Sequence, residues 1–467
     1  MVLALMLPGS QAQDVVLPDI GDPASSVLSP QQEQQLGRVI LRELRRTLPL
    51  MADPQLNAYI RSLGYRLVAS NPDAQGDFTF LVIEDKAINA FATPGGIVAI
   101  NTGLILAVDN EAELASVVAH EIAHVTQRHL ARMYAESGKV NLATGLAILA
   151  ALVAGAYDQQ AGAAGLATAL AAGAQSQLNY SRANEQEADR AGIQTLANAG
   201  FNPRAMPAFF DKLQRQSGGG GADGITEYLR THPVTSSRIS DSAARADQFD
   251  GRFINDSMQF QLAQARLRAL KFQPSYIIEG YEAKGGPPPN DLAAQYEYAL
   301  ALTSIGRTER ALSVLDALLA DYSDLVELRV AHAEALAKAG RSKEAASALE
   351  ELNALYPDQE PVALPLARIR LDRGQPAEAL STLERLTRNG YAGPETYKTK
   401  AQAASQAGHP ALSHEALAEF YAMEGQWNEA LRQLDLGLKA ASPDQVTERR
   451  IRSKRDQLRK ALKEAED

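Results

Sequence analysis

The 467-residue sequence contains no cysteine. Disulfides and thiolate metal ligands are therefore excluded, and a metal site would have to be built from histidine and carboxylate. Nothing in it suggests a lipoprotein, which requires a cysteine. Basic runs are missing except near the C-terminus, and the net charge is −10, which argues against nucleic acid as a partner. Long apolar runs are scarce. Asn141–Ala156 and Gly162–Ala174 are rich in Ala, Gly and Leu, but Asp158-Gln159-Gln160 separates them. Each is short for a span of roughly 20 residues. They predict a small-residue helical hairpin, packed on the rest of the domain or dipping into a membrane surface. The length fits two or more domains, with ample apolar content for their cores.

His120-Glu121-Ile122-Ala123-His124 carries the most chemistry. The run from Glu111 to Leu130 has helical character, and residues four apart share a helix face. Both imidazoles can then reach one zinc ion, with Glu121 beside them to take a proton from the attacking water. The apolar flank of Leu114, Val117, Val118, Ile122 and Val125 buries the motif, and buried His and Glu require partners.

A catalytic zinc needs a third protein ligand and an open fourth position. Asn184-Glu185-Gln186-Glu187-Ala188-Asp189 supplies candidates on a second helix. Glu185 and Asp189 share a face. Glu185 can ligate, and Asp189 can accept a hydrogen bond from the distal nitrogen of a ligating histidine. Glu187 is the rival ligand, but lies about 200° around that helix from Glu185. His129, nine positions after His120, falls about 180° around a continuous helix and reads as a surface or packing histidine.

Gly95–Asn101 reads as a strand. It fits an edge strand that pairs with an extended substrate backbone, and equally an ordinary sheet strand. His232, before Pro233, could donate to the oxyanion of a tetrahedral intermediate or occupy the open metal position. The upstream run Ser217-Gly218-Gly219-Gly220-Gly221 would let the His232 segment move.

Past about residue 255 a period of 34 emerges. Gly306, Gly340, Gly374 and Gly408 fall on it. Ala299, Ala333, Ala367 and Ala401 precede them by seven. Ala311, Ala345 and Ala379 follow by five, where Ser413 departs from the pattern. Leu315, Leu349, Leu383 and Leu417 follow by nine. This is the tetratricopeptide pattern: small residues let paired helices approach, glycine ends the first, and alanine and leucine pack the second. Gly425 and Ala430 repeat the offset out of phase. Pro287-Pro288-Pro289 marks a break before the first clear repeat, and the charged helix from Thr447 to Asp467 fits a cap. Stacked helix pairs form a concave surface that binds polypeptide.

HEIAH followed by Glu185-x-x-Ala-Asp189 resembles the gluzincin metallopeptidase family that includes the CAAX prenyl proteases. Asn89-Ala90-Phe91-Ala92-Thr93-Pro94-Gly95-Gly96, then Gly103-Leu104-Ile105, is similar to that family's segment before its HExxH helix. The Leu17-Pro18-Asp19-Ile20 start, Thr231-His232-Pro233 and the C-terminal repeats look like its periplasmic members. The resemblance implies His120, His124 and Glu185 as ligands of one zinc ion per chain. It implies Glu121 as general base, Asp189 beside the ligands, and His232 as a fourth ligand that holds the enzyme latent. It further implies endopeptidase activity in the periplasm of a Gram-negative bacterium, with peripheral membrane contact. The clients would be unfolded or stalled outer-membrane β-barrel proteins, and the repeats would dock on the assembly machinery. Productive precursors would be matured and stalled ones degraded.

The expected fold is mostly α: a gluzincin zinc-peptidase domain with a small β-sheet, then an α-solenoid of repeats. The expected boundaries are 1–12 for the end of a signal peptide (Val2–Leu7, with cleavage after Ala12), 13–255 for the protease and 256–467 for the repeats. The rival class is a repeat-based assembly chaperone with a mostly latent protease site; a weaker rival is an integral-membrane prenyl-type protease.

Overall fold

A computed structural model of the chain describes residues 29–136, 182–217, 225–389, 392–441 and 444–466. The signal-like segment, the small-residue pair within 141–174 and glycines 218–221 lie outside the described residues. No described helix is long and apolar enough to cross a membrane.

The N-terminal half is helical around one small sheet. Helix α1 (Pro30–Thr47) is closed at its start by a capping box on Ser29. Helix α2 (Pro54–Ser70) starts at Asp53, whose carboxylate accepts from the Leu56 amide at 2.9 Å. Strands β1 (Thr79–Ile83), β2 (Ala90–Thr93) and β3 (Ile97–Asn101) form a sheet in the order β1-β3-β2, parallel on one side of β3 and antiparallel on the other. The strand of the Gly95–Asn101 segment is thus the central one, so the edge-strand expectation is corrected. Its amides and carbonyls are taken on both sides, by Thr79–Ile83 and by Ala90–Thr93. The edge nearer the motif helix is β2.

Helices α3 (Thr102–Ala107), α4 (Glu111–Thr126) and α5 (His129–Glu136) follow, then α6 (Arg182–Asn198), α7 (Ala205–Ser217), α8 (Ile225–Thr231) and α9 (Ser236–Ala246). Helix α4 is buried on every side from Glu111 to His124, as a helix at the centre of a core must be. Asn110 caps it by accepting from the Glu113 amide at 3.1 Å, and Glu111 and Glu113 complement its N-terminal dipole. Helix α6 packs directly on α4. Gly192 makes this approach possible: a Cβ there would stand 2.8 Å from the Met206 methyl and 3.3 Å from the His120 amide nitrogen.

The C-terminal half is a run of helix pairs. After α10 (Met258–Lys271) and α11 (Pro274–Glu282) come α12 (Leu292–Ser304) with α13 (Thr308–Asp321), and α14 (Val326–Lys338) with α15 (Ser342–Leu355). Then come α16 (Glu360–Asp372) with α17 (Pro376–Arg388), α18 (Pro394–Gln406) with α19 (Pro410–Met423), and α20 (Trp427–Ala440) with α21 (Gln445–Glu466). The periodic alanines 299, 333, 367 and 401 are buried, as are Leu315, Leu349 and Leu383. Leu417 is only half-buried. Where Ser413 replaces the periodic alanine, its hydroxyl donates to the Ala401 carbonyl at 2.9 Å, which satisfies the polar group that alanine would lack.

The array curls back onto the N-terminal half. Arg266 of α10 forms an ion pair with Asp53 at 2.8 Å, and the Tyr296 hydroxyl donates to Gln55 at 3.3 Å. At the far end, the Arg42 guanidinium of α1 lies 4.6 Å from the centre of the Trp427 ring, a cation–π distance. Beside it, Gly425 has φ +69°, and a Cβ there would stand 2.6 Å from the Arg42 carbonyl oxygen. Gly340 ends its helix with φ +81° but with open space around it. Gly340→Ala should therefore cost only the left-handed backbone penalty, about 1–2 kcal/mol. Gly425→Ala should cost more and loosen the last repeats from α1. Thermal unfolding of the two variants checks this; equal losses would show that the Gly425 contact does not hold the array.

Candidate metal centre

Helix α4 brings His120, Glu121 and His124 to the face it shares with α6, where Glu185 and Asp189 project. Helix α8 ends at Thr231, and the His232 amide still donates to the Tyr228 carbonyl at 2.8 Å. That last turn delivers the His232 ring to the same point. One atom from each of His120, His124, Glu185 and His232 lies within 4.8 Å of the others, and all four residues are buried. The Nε2 atoms of His120 and His124 are 3.0 Å apart. His124 Nε2 is 3.4 Å from Glu185 Oε1, and His232 Nδ1 is 3.1 Å from the same oxygen.

Three imidazole nitrogens and a carboxylate oxygen converging on one point are a borderline-soft divalent cation's donor set. A second observation fits a metal. Glu121 is fully buried, and neither of its oxygens has a hydrogen-bond partner among the described residues. His232 Nε2 stands 3.4 Å from Glu121 Oε1. With His232 and the Ala92 backbone near it, the buried carboxylate is under-satisfied, which is costly; a metal and its water would satisfy it.

The surrounding residues hold this cluster in place. Asp189 Oδ1 is 3.1 Å from His120 Nδ1, the nitrogen turned away from the other ligands. Burial opposes charge on His120, but Asp189 and Glu185 outweigh it and push its pKa up to about 9. Burial also opposes the Glu185 carboxylate, yet His232 and His120 hold it well below the usual range. Burial drives His124 well below the usual imidazole range and raises Glu121.

Arg238, in the first turn of α9, organises the carboxylates. Its Nε and Nη2 donate to the two oxygens of Asp189 at 2.8 and 2.7 Å. Its Nη1 lies 2.9 Å from Glu185 Oε2 and donates to the Pro233 carbonyl at 2.9 Å. One guanidinium thus ties α6 to the turn that carries His232. Sequence reasoning missed Arg238; its signal was an arginine three residues after the Thr235 N-cap, facing back toward the histidine. Tyr228 was missed too, four residues before His232 on one helix face. Its ring lies 5.0 Å from the His232 ring, and its buried hydroxyl has no hydrogen-bond partner among the described residues.

His129 differs from its expected place. It is fully buried, and its Nδ1 lies 2.8 Å from His124 Nδ1. The reason is local: α4 stops at Thr126, and Arg128 adopts a left-handed φ of +51°, so the helical angle does not carry through to residue 129. The Arg128 Nε–H donates to Glu33 Oε2 at 3.1 Å, which holds the turn. Glu187 points away from the ligand cluster, toward His129 Nε2 at 3.3 Å and Arg132 at 2.8 Å; its side chain is 40% exposed.

A buried histidine–carboxylate set gathered around an HExxH helix could hold the metal ion of a metallopeptidase domain. Residues 54–246 match the model of Peptidase family M48, and residues 336–403 match Tetratricopeptide repeat. The chain carries a domain of the first family followed by repeats of the second. Over 324 residues it is 39% identical to the Beta-barrel assembly-enhancing protease of Escherichia coli K12, which covers 68% of this chain and 66% of that one. A Vibrio cholerae relative is 45% identical over 269 residues, covering 57% of this chain and 55% of its own. The Mitochondrial metalloendopeptidase OMA1 of Arabidopsis thaliana is 35% identical over 158 residues, 34% of this chain and 29% of that one. The chain therefore spans between 55% and 66% of the length of these bacterial relatives.

Arg238→Ala would remove the guanidinium that Asp189 and Glu185 share, leaving the two buried carboxylates only the neighbouring imidazoles as partners. Melting in the presence of chelator should show a loss of roughly 3–5 kcal/mol, and added zinc should narrow that deficit by supplying positive charge. An unchanged midpoint would contradict the clamp.

Proposed function

We propose that this chain is a zinc endopeptidase of the periplasm, acting on outer-membrane β-barrel precursors and held latent by His232. The observation that carries the reading is the convergence of His120, His124, Glu185 and His232 beside the under-satisfied Glu121. His120, His124 and Glu185 would hold zinc, and His232 would take the fourth position. A zinc ion bound there supplies Lewis acidity toward the scissile carbonyl and the attacking water. Glu121 accepts the proton of that water and passes it to the leaving amine. Its burial raises its proton affinity, which suits both halves of that transfer. Asp189 and Arg238 keep His120 and Glu185 in place. The edge of β2 beside α4 offers backbone groups to an extended substrate.

The clients and partners follow from the kinship with the β-barrel assembly-enhancing proteases. The repeats would engage unfolded or stalled outer-membrane proteins and the assembly machinery, with peripheral membrane contact, and the protease would degrade stalled precursors while productive ones mature. A second reading is supported by His232 itself, which packs into the ligand set with 1% of its surface exposed. In that reading the repeats carry the function as an assembly chaperone, and proteolysis is secondary.

Cleavage of casein and of an unfolded β-barrel precursor by the wild type, Glu121→Gln and His232→Ala, with zinc measured on the same samples, tests both. Glu121→Gln should keep zinc and lose at least about 100-fold in rate. His232→Ala should cleave faster than the wild type. Slower cleavage with zinc retained would make His232 an oxyanion donor. No zinc and no cleavage in any sample would overturn the peptidase reading in favour of the chaperone.

A further inference from the structure

A histidine that binds metal through Nε2 must carry its proton on Nδ1, and a buried Nδ1–H needs an acceptor. For His120 the group facing Nδ1 is a carboxylate, Asp189, with Oδ1 at 3.1 Å. His124 also turns Nε2 toward the other ligand atoms, but its Nδ1 faces another imidazole, His129 Nδ1, at 2.8 Å. Two neutral imidazoles can share one proton there in either sense. Only one sense leaves the His124 Nε2 lone pair free for a metal: His124 donates and His129 accepts. His129 accepts at Nδ1 only when its own proton sits on Nε2. Glu187 Oε2 stands 3.3 Å from that Nε2, and Arg132 holds the same oxygen at 2.8 Å. The carboxylate can only accept, so it draws the His129 proton to Nε2.

We propose that His129 and Glu187 are positioning residues that set the tautomer of His124, so that its Nε2 is presented to the metal. The relay rests on the metal-centre reading above. It also explains the backbone at residue 128. A left-handed non-glycine residue is strained, and such strain concentrates where geometry serves a site. The Arg128 turn, pinned by Glu33, is what points His129 back at His124 rather than onward along a continued helix.

The test is zinc(II) affinity of the full chain by competition with a chromophoric chelator, together with the visible spectrum of the cobalt(II)-loaded protein. His129→Phe fills the same space but cannot accept a proton; zinc binding should weaken by about 10- to 100-fold, with an altered cobalt spectrum. His129→Asn places a carboxamide oxygen where Nδ1 stood and should restore most of the affinity. Glu187→Ala should weaken binding in the wild type but add nothing in the His129→Asn background, because that acceptor needs no tautomer to be set. A purely structural His129 would treat Phe and Asn alike. Equal affinity and spectrum in wild type and His129→Phe would overturn the proposal, as would Glu187→Ala weakening His129→Asn as much as it weakens the wild type. If His129→Phe does not fold, the Glu187→Ala and His129→Asn cycle still decides, since Glu187 is partly solvent-exposed. Absence of zinc binding by the wild type would instead sink the metal-centre reading.

Discussion

The structure turns on burying carboxylates and imidazoles together. Glu121, Glu185 and Asp189 sit inside the protein within reach of three histidines, and such groups persist only when each charge is compensated. Arg238 supplies positive charge from the side of α9, and a divalent cation would supply it from within. The rest of the domain serves that balance. Gly192 lets α6 reach α4, the last turn of α8 delivers His232, and the left-handed Arg128 turns His129 onto His124.

The repeat half solves a simpler problem by the same means. Small residues at Ala299, Ala333, Ala367 and Ala401 bring helices close, and glycines in the left-handed region end them. Gly425 differs from its counterparts because its open side is occupied by the α1 backbone. Helix α1 therefore touches the last repeats through Arg42 and the active-site side through Glu33. One helix spans from the far end of the array to the turn that follows the motif.

Much of the site is legible in the sequence, where helical periodicity holds. His120 and His124 are four apart on one uninterrupted helix, and so are Glu185 and Asp189 on another, so their shared faces followed from spacing. Spacing also says that only one of Glu185 and Glu187 can face the histidines, and Asp189, as a hydrogen-bond partner for a ligating histidine, favours Glu185, which is the one that lies among them. The same rule misplaced His129, since nothing local to Gln127-Arg128 announces that the helix ends there; the left-handed turn depends on Glu33, nearly a hundred residues away. The position of Gly95–Asn101 in the sheet was not legible either, because strand order is decided by long-range pairing. Arg238 escaped notice because its partners lie on a helix some fifty residues earlier. The repeats were plain from the period of 34, and their one irregular position, Ser413, proved to have its own hydrogen bond.

Zinc-edge X-ray absorption on the purified chain, loaded with one equivalent of zinc at neutral pH, tests the central claim most directly. The account predicts four light ligands at about 2.0–2.1 Å with the multiple-scattering signature of three imidazoles and one carboxylate. A spectrum with fewer than two imidazoles, or with the six oxygen neighbours of a loosely held hydrated ion, would contradict it.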